Sequence, residues 1–514
     1  MHFATSRSFL ILAILASAGQ LVGAQTITSM GVLPTGATSD AMSCSANGLW
    51  VGGNASISSS VNHAARWSVG FGLQDLGLLS GFNVALGYDV SDNGTVVGQL
   101  SPLSGGECAF RWTPSGMVNL GTLPGGSRSQ AWGISGDGNT VCGWSGSSSG
   151  DRAFRWTSSG MTSIGILPSG TFSFAYGISN NGLVITGYGD TVGGNRAFRW
   201  TSSGGMVSLG VAPGGTYSVG LNCNTDGSAI VGSGNSGGSD GAIRWTAATG
   251  VQYLGRLPTG PLFARGTSVT SNGRVVVGVS DFGATTHAFG WSPNGGMIDL
   301  NTFLPAVGVN LTGWDLKGAF GISADGTTIV GTGRLNNAAR GWIVTGIPCL
   351  EPAVIRTNPF PTQSCRGGGA VFTVEIESTG SPQYQWQIET EVAGTPQLEW
   401  VNLIDGPVPN AEMTIAQHTN LPSLELLNIT AAAARQIRVI VYNPCSSGGT
   451  ASAPARLSYC PADFNCDHGI DFFDYLDFVD ALSGGTPQAD YNTDGAVDFF
   501  DYLDFVDAFS IGCI

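Results

Sequence analysis

Oxygen-bearing residues recur at alternating positions in two short stretches near the C-terminus of this 514-residue chain. Side-chain and carbonyl oxygens at this spacing can wrap around Ca²⁺, which takes roughly six to eight oxygen ligands. We therefore predict two calcium-binding loops, called loop 1 (463–474) and loop 2 (490–501), in which Ala496 contributes its backbone carbonyl. The predicted ligands are Asp463, Asn465, Asp467, Gly469, Asp471 and Asp474 in loop 1, and Asp490, Asn492, Asp494, Ala496, Asp498 and Asp501 in loop 2.

The two loops belong to a tandem duplication in which residues 471–481 and 498–508 are identical. The apolar spacing after each loop predicts a helix. His468 occupies the sixth position of loop 1, where loop 2 has Gly495 and the chain must turn sharply, so we expect loop 1 to bind calcium more weakly. The residues predicted to form a small helical core are Phe472, Tyr475, Leu476, Val479 and Leu482, with the copies Phe499, Tyr502, Leu503, Val506 and Phe509. Those predicted to face a partner are Phe473, Phe478, Phe500 and Phe505.

Residues 460–514, called the tail, resemble a type I dockerin. Loop plus exiting helix occurs twice, the segment opens on Cys460-Pro-Ala-Asp-Phe-Asn, and it ends on a Gly512-Cys513 pair. The resemblance implies a calcium-dependent module whose helix surface binds a protein partner, cohesin-like or part of a cell-surface assembly. Phe472-Phe473 and Phe499-Phe500 stand where cellulosomal members commonly have a small polar pair.

A repeat of about 45 residues occupies positions 26–346 and must hold a different kind of structure. Its seven units share a tryptophan, found at Trp67, Trp112, Trp156, Trp200, Trp245, Trp291 and Trp342. Each also has an Asn-Gly or Asp-Gly pair, which favours a type I′ hairpin turn with positive φ at both residues. Four short strands per unit predict a seven-bladed β-propeller, closed by pairing 26–30 with 341–344. An open β-solenoid is the alternative.

The repeat resembles the HAF family of bacterial extracellular repeats, because His287-Ala288-Phe289 and several Ala-Phe-Arg-Trp phrases recur at the unit period. The resemblance implies a secreted, propeller-like module. His63 and His287 occupy equivalent places without an obvious Asp or Ser partner, so we interpret them as packing residues. The Gly-x-Ser-x-Gly matches lie in Gly/Ser loops that lack a strand-to-helix turn, so they predict no nucleophile.

Between repeat and tail, residues 348–459 read as short strands at the spacing of a β-sandwich. Trp386 suits the core tryptophan of an immunoglobulin-like domain, which we interpret as a spacer. Cys365 and Cys445, at the ends of two strands, could form a bridge resembling the displaced disulfide of bacterial immunoglobulin-like modules. The predicted strands are 370–376, 384–387, 424–429, 436–442 and 453–459.

Residues 1–24 read as a cleaved signal peptide, since Arg7 precedes a short apolar run and a small-residue cleavage site. No later run reaches transmembrane length, so we predict an extracellular or cell-surface protein. The net charge is −15, and the tail holds 12 aspartates with no Glu, Lys or Arg. The rest of the chain is almost neutral, which gives no basic footprint for nucleic acid.

Together these features predict a mainly β protein with a signal peptide (1–24), a propeller (25–347), a sandwich (348–459) and a dockerin-like tail (460–514). We expect a secreted, non-enzymatic binding or scaffold protein, in which the propeller displays a ligand-binding surface and the tail attaches it to a partner. The alternative is a dockerin-tethered glycan hydrolase in polysaccharide degradation. Two convergent carboxylates in a propeller pocket would favour that alternative.

Overall fold

The computed structural model describes residues 25–513, except 60, 261, 348–349, 352, 378–381, 392–396, 443–448 and 493. The predicted signal peptide and Cys445 lie outside the described residues. Strands dominate the described chain, and none of its helices is long and apolar enough to cross a membrane.

Seven four-stranded antiparallel sheets account for the repeat region, one sheet to each unit. In order, their strands are Ser39–Cys44, Val51–Ser56, Asn62–Ser68 and Gly72–Asp75; Phe82–Val90, Val96–Pro102, Cys108–Thr113 and Gly116–Gly121; Ser129–Ile134, Val141–Ser145, Arg152–Thr157 and Gly160–Ser163; Ser173–Ile178, Val184–Thr191, Gly194–Thr201 and Gly205–Ser208; Ser218–Cys223, Ala229–Ser236, Ser239–Thr246 and Gly250–Gly255; Ala264–Val269, Val276–Phe282, Thr285–Ser292 and Gly296–Asp299; and Trp314–Ile322, Ile329–Leu335, Ala338–Thr345 and Thr26–Ser29.

The seven sheets form a closed ring, called the ring below. The first strand of each sheet contacts the first strand of the next, and the seventh contacts the first. The strand Thr26–Ser29 pairs antiparallel with Ala338–Thr345, which confirms the predicted pairing of the two ends. Because the two ends of the repeat region belong to one sheet, the strand at each end has a partner strand and neither is left unpaired.

The Asn-Gly and Asp-Gly turns also join neighbouring sheets. Seven hydrogen bonds of 2.8–3.2 Å run from sheet to sheet around the whole ring. They are Asn47 N to Asp92 Oδ1, Asp92 N to Gly136 O, Gly136 N to Asn180 O, Asn181 N to Thr225 O, Asn224 Nδ2 to Ser271 O, Ser271 N to Ala324 O, and Ala324 N to Ala46 O.

The predicted type I′ geometry of these turns is wrong. Gly48 has φ +72°, but Asn47 is not among the residues with positive φ. Instead, Gly48 N donates to Ser45 O at 2.9 Å, and the Asn47 side chain accepts the N–H of Leu49 at 3.0 Å. The same bond from glycine to the third residue before it closes the other six turns. Asn or Asp is therefore suited to this place as a side-chain acceptor, and only the glycine needs left-handed backbone.

The core of the ring lies between adjacent sheets. The alanine and phenylalanine of the Ala-Phe-Arg-Trp phrase are fully buried there, as at Ala153 and Phe154, whereas Trp156 is half-buried. The last unit is longer because helix α1 (Leu300–Ala306) precedes its first strand, with Asp299 as N-cap.

Residues 353–460 form two large sheets that share one hydrophobic core around Trp386 and Phe372, together with a separate two-stranded sheet, and this part is called the sandwich. Trp386 is fully buried, as predicted, and its indole N–H donates to Leu421 O at 2.8 Å. The predicted strand 370–376 is wrong as a single element, because it divides between two sheets. In spatial order one sheet contains Thr362–Cys365, Ala455–Cys460, Gln436–Tyr442, Gln383–Glu391 and Leu398–Asn402, with Thr450–Ala451 beside Gln436–Tyr442; the other contains Ala370–Thr373, Ser423–Leu427, Ala411–Gln417 and Gly406–Val408; Val354–Thr357 pairs with Glu375–Glu377.

The tail contains the two predicted helices, α2 (Phe472–Ser483) and α3 (Phe499–Ile511). Two short 3₁₀ turns, Ala431–Ala433 and Pro487–Ala489, complete the helical elements. The small core of the tail is aromatic: the Phe478 and Phe505 rings stack at 4.0 Å, and Phe464 and Tyr491 meet them edge-on.

Disulfides attach the tail to the sandwich and close it on itself. Cys365 bonds to Cys466 and Cys460 bonds to Cys513. The predicted Cys365–Cys445 bridge is therefore wrong, because loop 1 docks against the sandwich and brings Cys466 next to Cys365. A partly buried ion-pair cluster joins ring and sandwich, in which Arg274 binds both the buried Glu351 and the half-exposed Glu377.

Candidate functional site

Loop 1 begins with a buried carboxylate. Asp463 is 1% exposed, and its two oxygens accept the backbone N–H groups of Asp467 and His468, each at 3.1 Å. Burial raises the pKa of Asp463, and the nearby Asp474 carboxylate raises it further. Oxygen atoms of Asp463, Asp467 and Asp474 lie within 4.8 Å of one another. A cation among them would offset the repulsion between these carboxylates.

Asp474, the twelfth residue of loop 1, ties the loop to helix α2. Its side chain is fully buried and accepts the N–H groups of Phe464 at 2.7 Å, Asn465 at 3.2 Å and Asp471 at 2.9 Å. Asp471 is in turn the N-cap of α2 and accepts the N–H of Phe473 at 2.7 Å. This reciprocal capping makes the end of the loop and the start of the helix one hydrogen-bonded unit.

Loop 2 repeats the same network. Asp490 accepts the N–H groups of Asp494 at 3.1 Å and Gly495 at 3.0 Å. Asp501 is fully buried and accepts three N–H groups, from Tyr491 at 2.6 Å, Asn492 at 3.0 Å and Asp498 at 2.8 Å. Burial alone would raise the pKa of Asp501, but these backbone N–H groups lower it below its usual range.

The donor set of both loops fits Ca²⁺. The oxygens are hard donors, and in loop 1 three carboxylates already face one another at separations that a cation with ligands at roughly 2.3–2.6 Å can bridge. Asn465, Asp467 and Asp471 lie at the exposed rim, as do their loop 2 counterparts Asn492, Asp494 and Asp498. Gly469 and Ala496 stand at the position that supplies a backbone carbonyl in such loops.

The sixth position of each loop has left-handed backbone. Gly495 has φ +88° and His468 has φ +73°. Glycine adopts this region without a steric penalty, whereas a residue with a Cβ pays roughly 1 kcal/mol or more. The expectation that loop 1 is the weaker site therefore has a geometric basis, and it stays a prediction.

Four exposed phenylalanines lie where the helices begin, one pair on each helix. Phe472, Phe473, Phe499 and Phe500 are each about two-thirds exposed (64–66%). Phe473 and Phe500 were predicted to face a partner, and they are exposed. The assignment of Phe478 and Phe505 to that surface is wrong, because both are fully buried. The assignment of Phe472 and Phe499 to the core is wrong for the opposite reason, and so is that of three further exposed residues, Leu476, Leu503 and Val506. We call these four residues the aromatic surface.

A second candidate site lies in the central channel of the ring. The first strand of every sheet carries a β-bulge at the same place, as between Ala131 and Gly133, where Trp132 is left out of the pairing. A bulge re-aims the side chain of its extra residue. All seven extra residues are half-buried and line one cavity of about 350 Å³: Met42, Tyr88, Trp132, Tyr176, Leu221, Thr267 and Phe320.

Aromatic side chains concentrate on one side of this channel. Tyr88 stacks on Trp132 at 4.1 Å, Tyr176 meets Trp132 edge-on at 5.2 Å, and Tyr188 lies parallel to Tyr176 at 5.9 Å. Tyr176, Leu221 and Arg265 also line an adjoining cavity of about 390 Å³. We call Tyr88, Trp132, Tyr176 and Tyr188 the aromatic ladder.

Sequence reasoning missed the channel residues, although the repeat contains a signal for them. In every unit the bulged residue stands between two small residues or beside one, as in Ala131-Trp132-Gly133 and Ala175-Tyr176-Gly177. At this position the residue type differs from unit to unit, while the neighbouring residues stay small. Such variation is typical of a side chain that does not pack in the core that all units share.

The two ring histidines have aspartate partners, contrary to the expectation from the sequence, but their interpretation as packing residues agrees with their burial and with the stacking of His287 on Phe282 at 4.2 Å. His63 Nδ1 contacts Asp75 and His287 Nδ1 contacts Asp299, both at 2.7 Å. In each case the aspartate lies 12 residues later, on the adjacent strand of the same sheet. Asp75 and Asp299 also accept the N–H groups of Gly77 and Asn301, so these pairs fix the turn that leaves the strand.

No protein-family model matches this sequence, and no curated protein matches it. Among solved structures, a putative TolB from Agrobacterium tumefaciens is similar at 14% identity and a TM-score of 0.33, covering 53% of this chain and 93% of that one. TolB from Acinetobacter baumannii is 13% identical with a TM-score of 0.34, covering 55% of this chain and 76% of that one. A functionally unknown protein from Desulfotomaculum acetoxidans DSM 771 is 11% identical with a TM-score of 0.31, covering 51% and 84%. At these scores the likeness carries no conclusion about the activity of this chain.

Proposed function

We propose that this chain is a secreted, modular binding protein whose tail attaches it to a protein partner in a calcium-dependent manner. In this proposal the ring is a seven-bladed β-propeller that displays a ligand-binding surface, and the sandwich is an immunoglobulin-like spacer. The tail is a dockerin-like module with one Ca²⁺ in each loop.

The aromatic surface is the observation that carries the proposal. Phe472-Phe473 and Phe499-Phe500 expose apolar rings on a segment whose other surface is dominated by aspartate. Exposed apolar clusters rimmed by polar residues are typical of protein interaction sites. Both pairs begin a helix whose capping carboxylate also belongs to a calcium loop. Calcium that orders the loops would therefore also set the positions of the rings.

The architecture of the other parts supports the proposal. The cycle of contacts among the seven first strands fits a propeller, and the strand order of the two sandwich sheets agrees with that of immunoglobulin domains. The disulfides Cys365–Cys466 and Cys460–Cys513 agree with a compartment outside the reducing cytosol.

The hydrolase alternative would need a pair of carboxylates facing the substrate. Asp89 lines the channel, but its oxygens accept the backbone N–H groups of Val90 and Ile134, each at 2.9 Å. These bonds turn the carboxylate toward the wall. Aromatic rings dominate the adjoining lining, which favours binding over hydrolysis.

The test is retention of the full chain on the envelope fraction of its native cell, with calcium or with chelator. We expect retention with calcium and release by chelator, and loss of retention when Asp463, Asp467, Asp490 and Asp494 are all replaced by alanine. The matched control replaces Asp477, Asp480, Asp504 and Asp507, four exposed helix aspartates outside the loops, and should be retained like the wild type. Replacing the four phenylalanines of the aromatic surface by serine should abolish retention while two calcium ions still bind. Retention that is indifferent to calcium would contradict the proposal.

A further inference from the structure

The bulge position provides an internal comparison among seven equivalent residues. Thr267, Leu221 and Met42 occupy it in three sheets, so the ring closes without an aromatic side chain there. The second, third and fourth sheets instead place Tyr88, Trp132 and Tyr176 side by side. The aromatic residues of the ladder are therefore additional to what the fold requires, and they need a different explanation.

The ladder is held rigidly and still faces the cavity. Trp132 is half-buried, and Tyr88 covers one side of its indole. The indole N–H of Trp132 donates to Gln130 Oε1 at 3.0 Å. The Tyr88 hydroxyl donates to Gln99 Oε1 at 2.8 Å. Rings fixed by stacking and by hydrogen bonds lose little conformational freedom when a ligand packs on them, which is a property of preorganised binding sites.

Polar groups surround the rings at the edges of both cavities. Asn222 and Asp89 line the first cavity, and Asn195, Ser233 and Asp240 line the second. These side chains present both donors and acceptors around an apolar platform. A few polar groups placed around aromatic walls are typical of sites for small organic ligands. A pyranose ring matches this pattern, because its C–H faces pack on aromatic rings while its hydroxyls project at the rim.

The charges of the lining and the size of the two cavities limit the class of ligand further. A phosphorylated ligand would meet the carboxylate of Asp240 in the second cavity, beside Arg265, which lines both cavities. Asp89 contributes little charge toward the ligand, because its two oxygens face the wall, where they accept the N–H groups of Val90 and Ile134. The two cavities, of about 350 and 390 Å³, adjoin at Tyr176, which gives an elongated site longer than one sugar ring.

We infer that the channel of the ring binds a short segment of a neutral polysaccharide, with Trp132 and Tyr188 as stacking platforms. This inference rests on the proposed function in one respect: it names the class of ligand that binds the surface which, in our proposal, the ring displays.

The test is isothermal titration calorimetry of the full chain with neutral β-1,4-linked tetrasaccharides of glucose, xylose, mannose and galactose. We expect at least one tetrasaccharide to bind, and the matching monosaccharide to bind at least tenfold more weakly. Trp132→Ala and Tyr188→Ala should each weaken binding by tenfold or more, and Trp132→Phe, which keeps a ring, should weaken it less. Thermal unfolding of each variant establishes that it is folded.

Phe71→Ala is the matched control, because Phe71 is an exposed ring of the same domain that stacks on Trp50 outside the ladder. It should leave the affinity unchanged. The inference is overturned if no tetrasaccharide binds, if Trp132→Ala and Tyr188→Ala bind as tightly as the wild type, or if ATP or palmitate binds at the ladder while the sugars do not. Attachment through the tail is measured separately, so chelator-sensitive retention with no sugar binding would contradict this inference alone. Sugar binding without calcium-dependent retention would contradict the attachment proposal alone.

Discussion

The ring and the tail reach order by opposite routes. The ring joins its two ends in one sheet and links its seven sheets by a cycle of hydrogen bonds, and it belongs to a part of the chain with a net charge of only −3. The tail has 12 aspartates, two short helices and a core centred on two stacked phenylalanines. Two disulfides hold it together and to the sandwich.

The difference shows that a small acidic segment lacks the hydrophobic burial that stabilises the ring. In the ring, each sheet buries its faces against two neighbours, so hydrophobic burial supplies the stabilisation. In the tail, buried area is small and the aspartates repel one another, so the disulfides must contribute, and the proposed calcium ions would add to them. Perturbations of metal, disulfide, core and pH should therefore separate the two regions.

Calcium removal should produce the largest difference. In the proposed sites Ca²⁺ would bind only the ordered loops, so its binding free energy would stabilise the folded tail. We expect chelator to remove the helical circular dichroism of α2 and α3 from the full chain, while the near-ultraviolet signal of the ring tryptophans stays unchanged. Asp490→Ala combined with Asp494→Ala should have half this effect. A helical signal that ignores both treatments would contradict the calcium sites.

The reciprocal perturbation is Trp342→Ala in the ring. Trp342 is fully buried in the closing sheet, and its indole N–H donates to Thr332 O at 2.9 Å. Truncating such a side chain costs about 4 kcal/mol, from lost burial and the cavity left behind. Urea unfolding followed by near-ultraviolet circular dichroism should show this loss, while calcium titration of the tail stays unchanged. Trp156→Ala, at a half-buried repeat tryptophan, is the control and should cost less.

Replacing Cys365 and Cys466 together by serine should loosen the tail but not the ring. The bridge spans 101 residues, and releasing it should cost about 4.7 kcal/mol in the chain-entropy account. Arg366 would remain over the Tyr491 ring at 4.9 Å and would donate to Asp490 O at 3.1 Å, so loop 2 keeps a contact with the sandwich. We therefore expect a larger loss of calcium affinity in loop 1 than in loop 2, measured by calorimetry. Equal losses would show that the bridge does not act locally.

The pH response of the ring should depend on Asp89. Burial raises its pKa from 3.8 to about 6 in the folded chain, so the folded state binds the proton more tightly than the unfolded state. Stability from this group is complete below about pH 4 and falls by about 3 kcal/mol as pH rises to about 6. Asp89→Asn should remove this slope in urea unfolding of the ring. The tail should respond in the opposite direction, since calcium ligands must be deprotonated.

His468→Gly should give the smallest effect, and a stabilising one. Glycine accommodates the left-handed backbone at this position, so the loop should gain about 1 kcal/mol and calcium should bind loop 1 several-fold more tightly. The mirror-image change, Gly495→His, should weaken loop 2 by a similar factor. Calorimetry with both variants would reveal whether the sixth position sets the order of affinity.

Local patterns predicted much of the fold, and packing between elements decided the rest. The Asn-Gly and Asp-Gly pairs located all seven turns, but the predicted turn type was wrong, because the Asn or Asp acts as a side-chain acceptor and only the glycine has positive φ. The predicted buried face of the tail helices was wrong. Asp474 points into loop 1, and Phe478, one helical turn later, lies on the same side of α2, so Phe478 is buried and Phe472 is exposed. The partner of Cys365 depended on how the tail docks, which no spacing encodes. The channel residues were missed because a bulge changes the direction of a side chain without changing the repeat.

The pairing of Thr26–Ser29 with Ala338–Thr345 also has a consequence for the time course of folding. The hydrogen-bonded Thr26 and Thr345 are separated by 319 residues, so the first strand made must wait for nearly the last strand of the ring. At roughly 5–20 residues per second, synthesis of this interval takes on the order of 15–60 s. Throughout it, Thr26–Ser29 lacks its partner strand and can pair with another chain, and the sheets at the two ends of the growing row expose apolar faces. The risk of aggregation is thus concentrated in the nascent chain, and it ends when the final hairpin arrives.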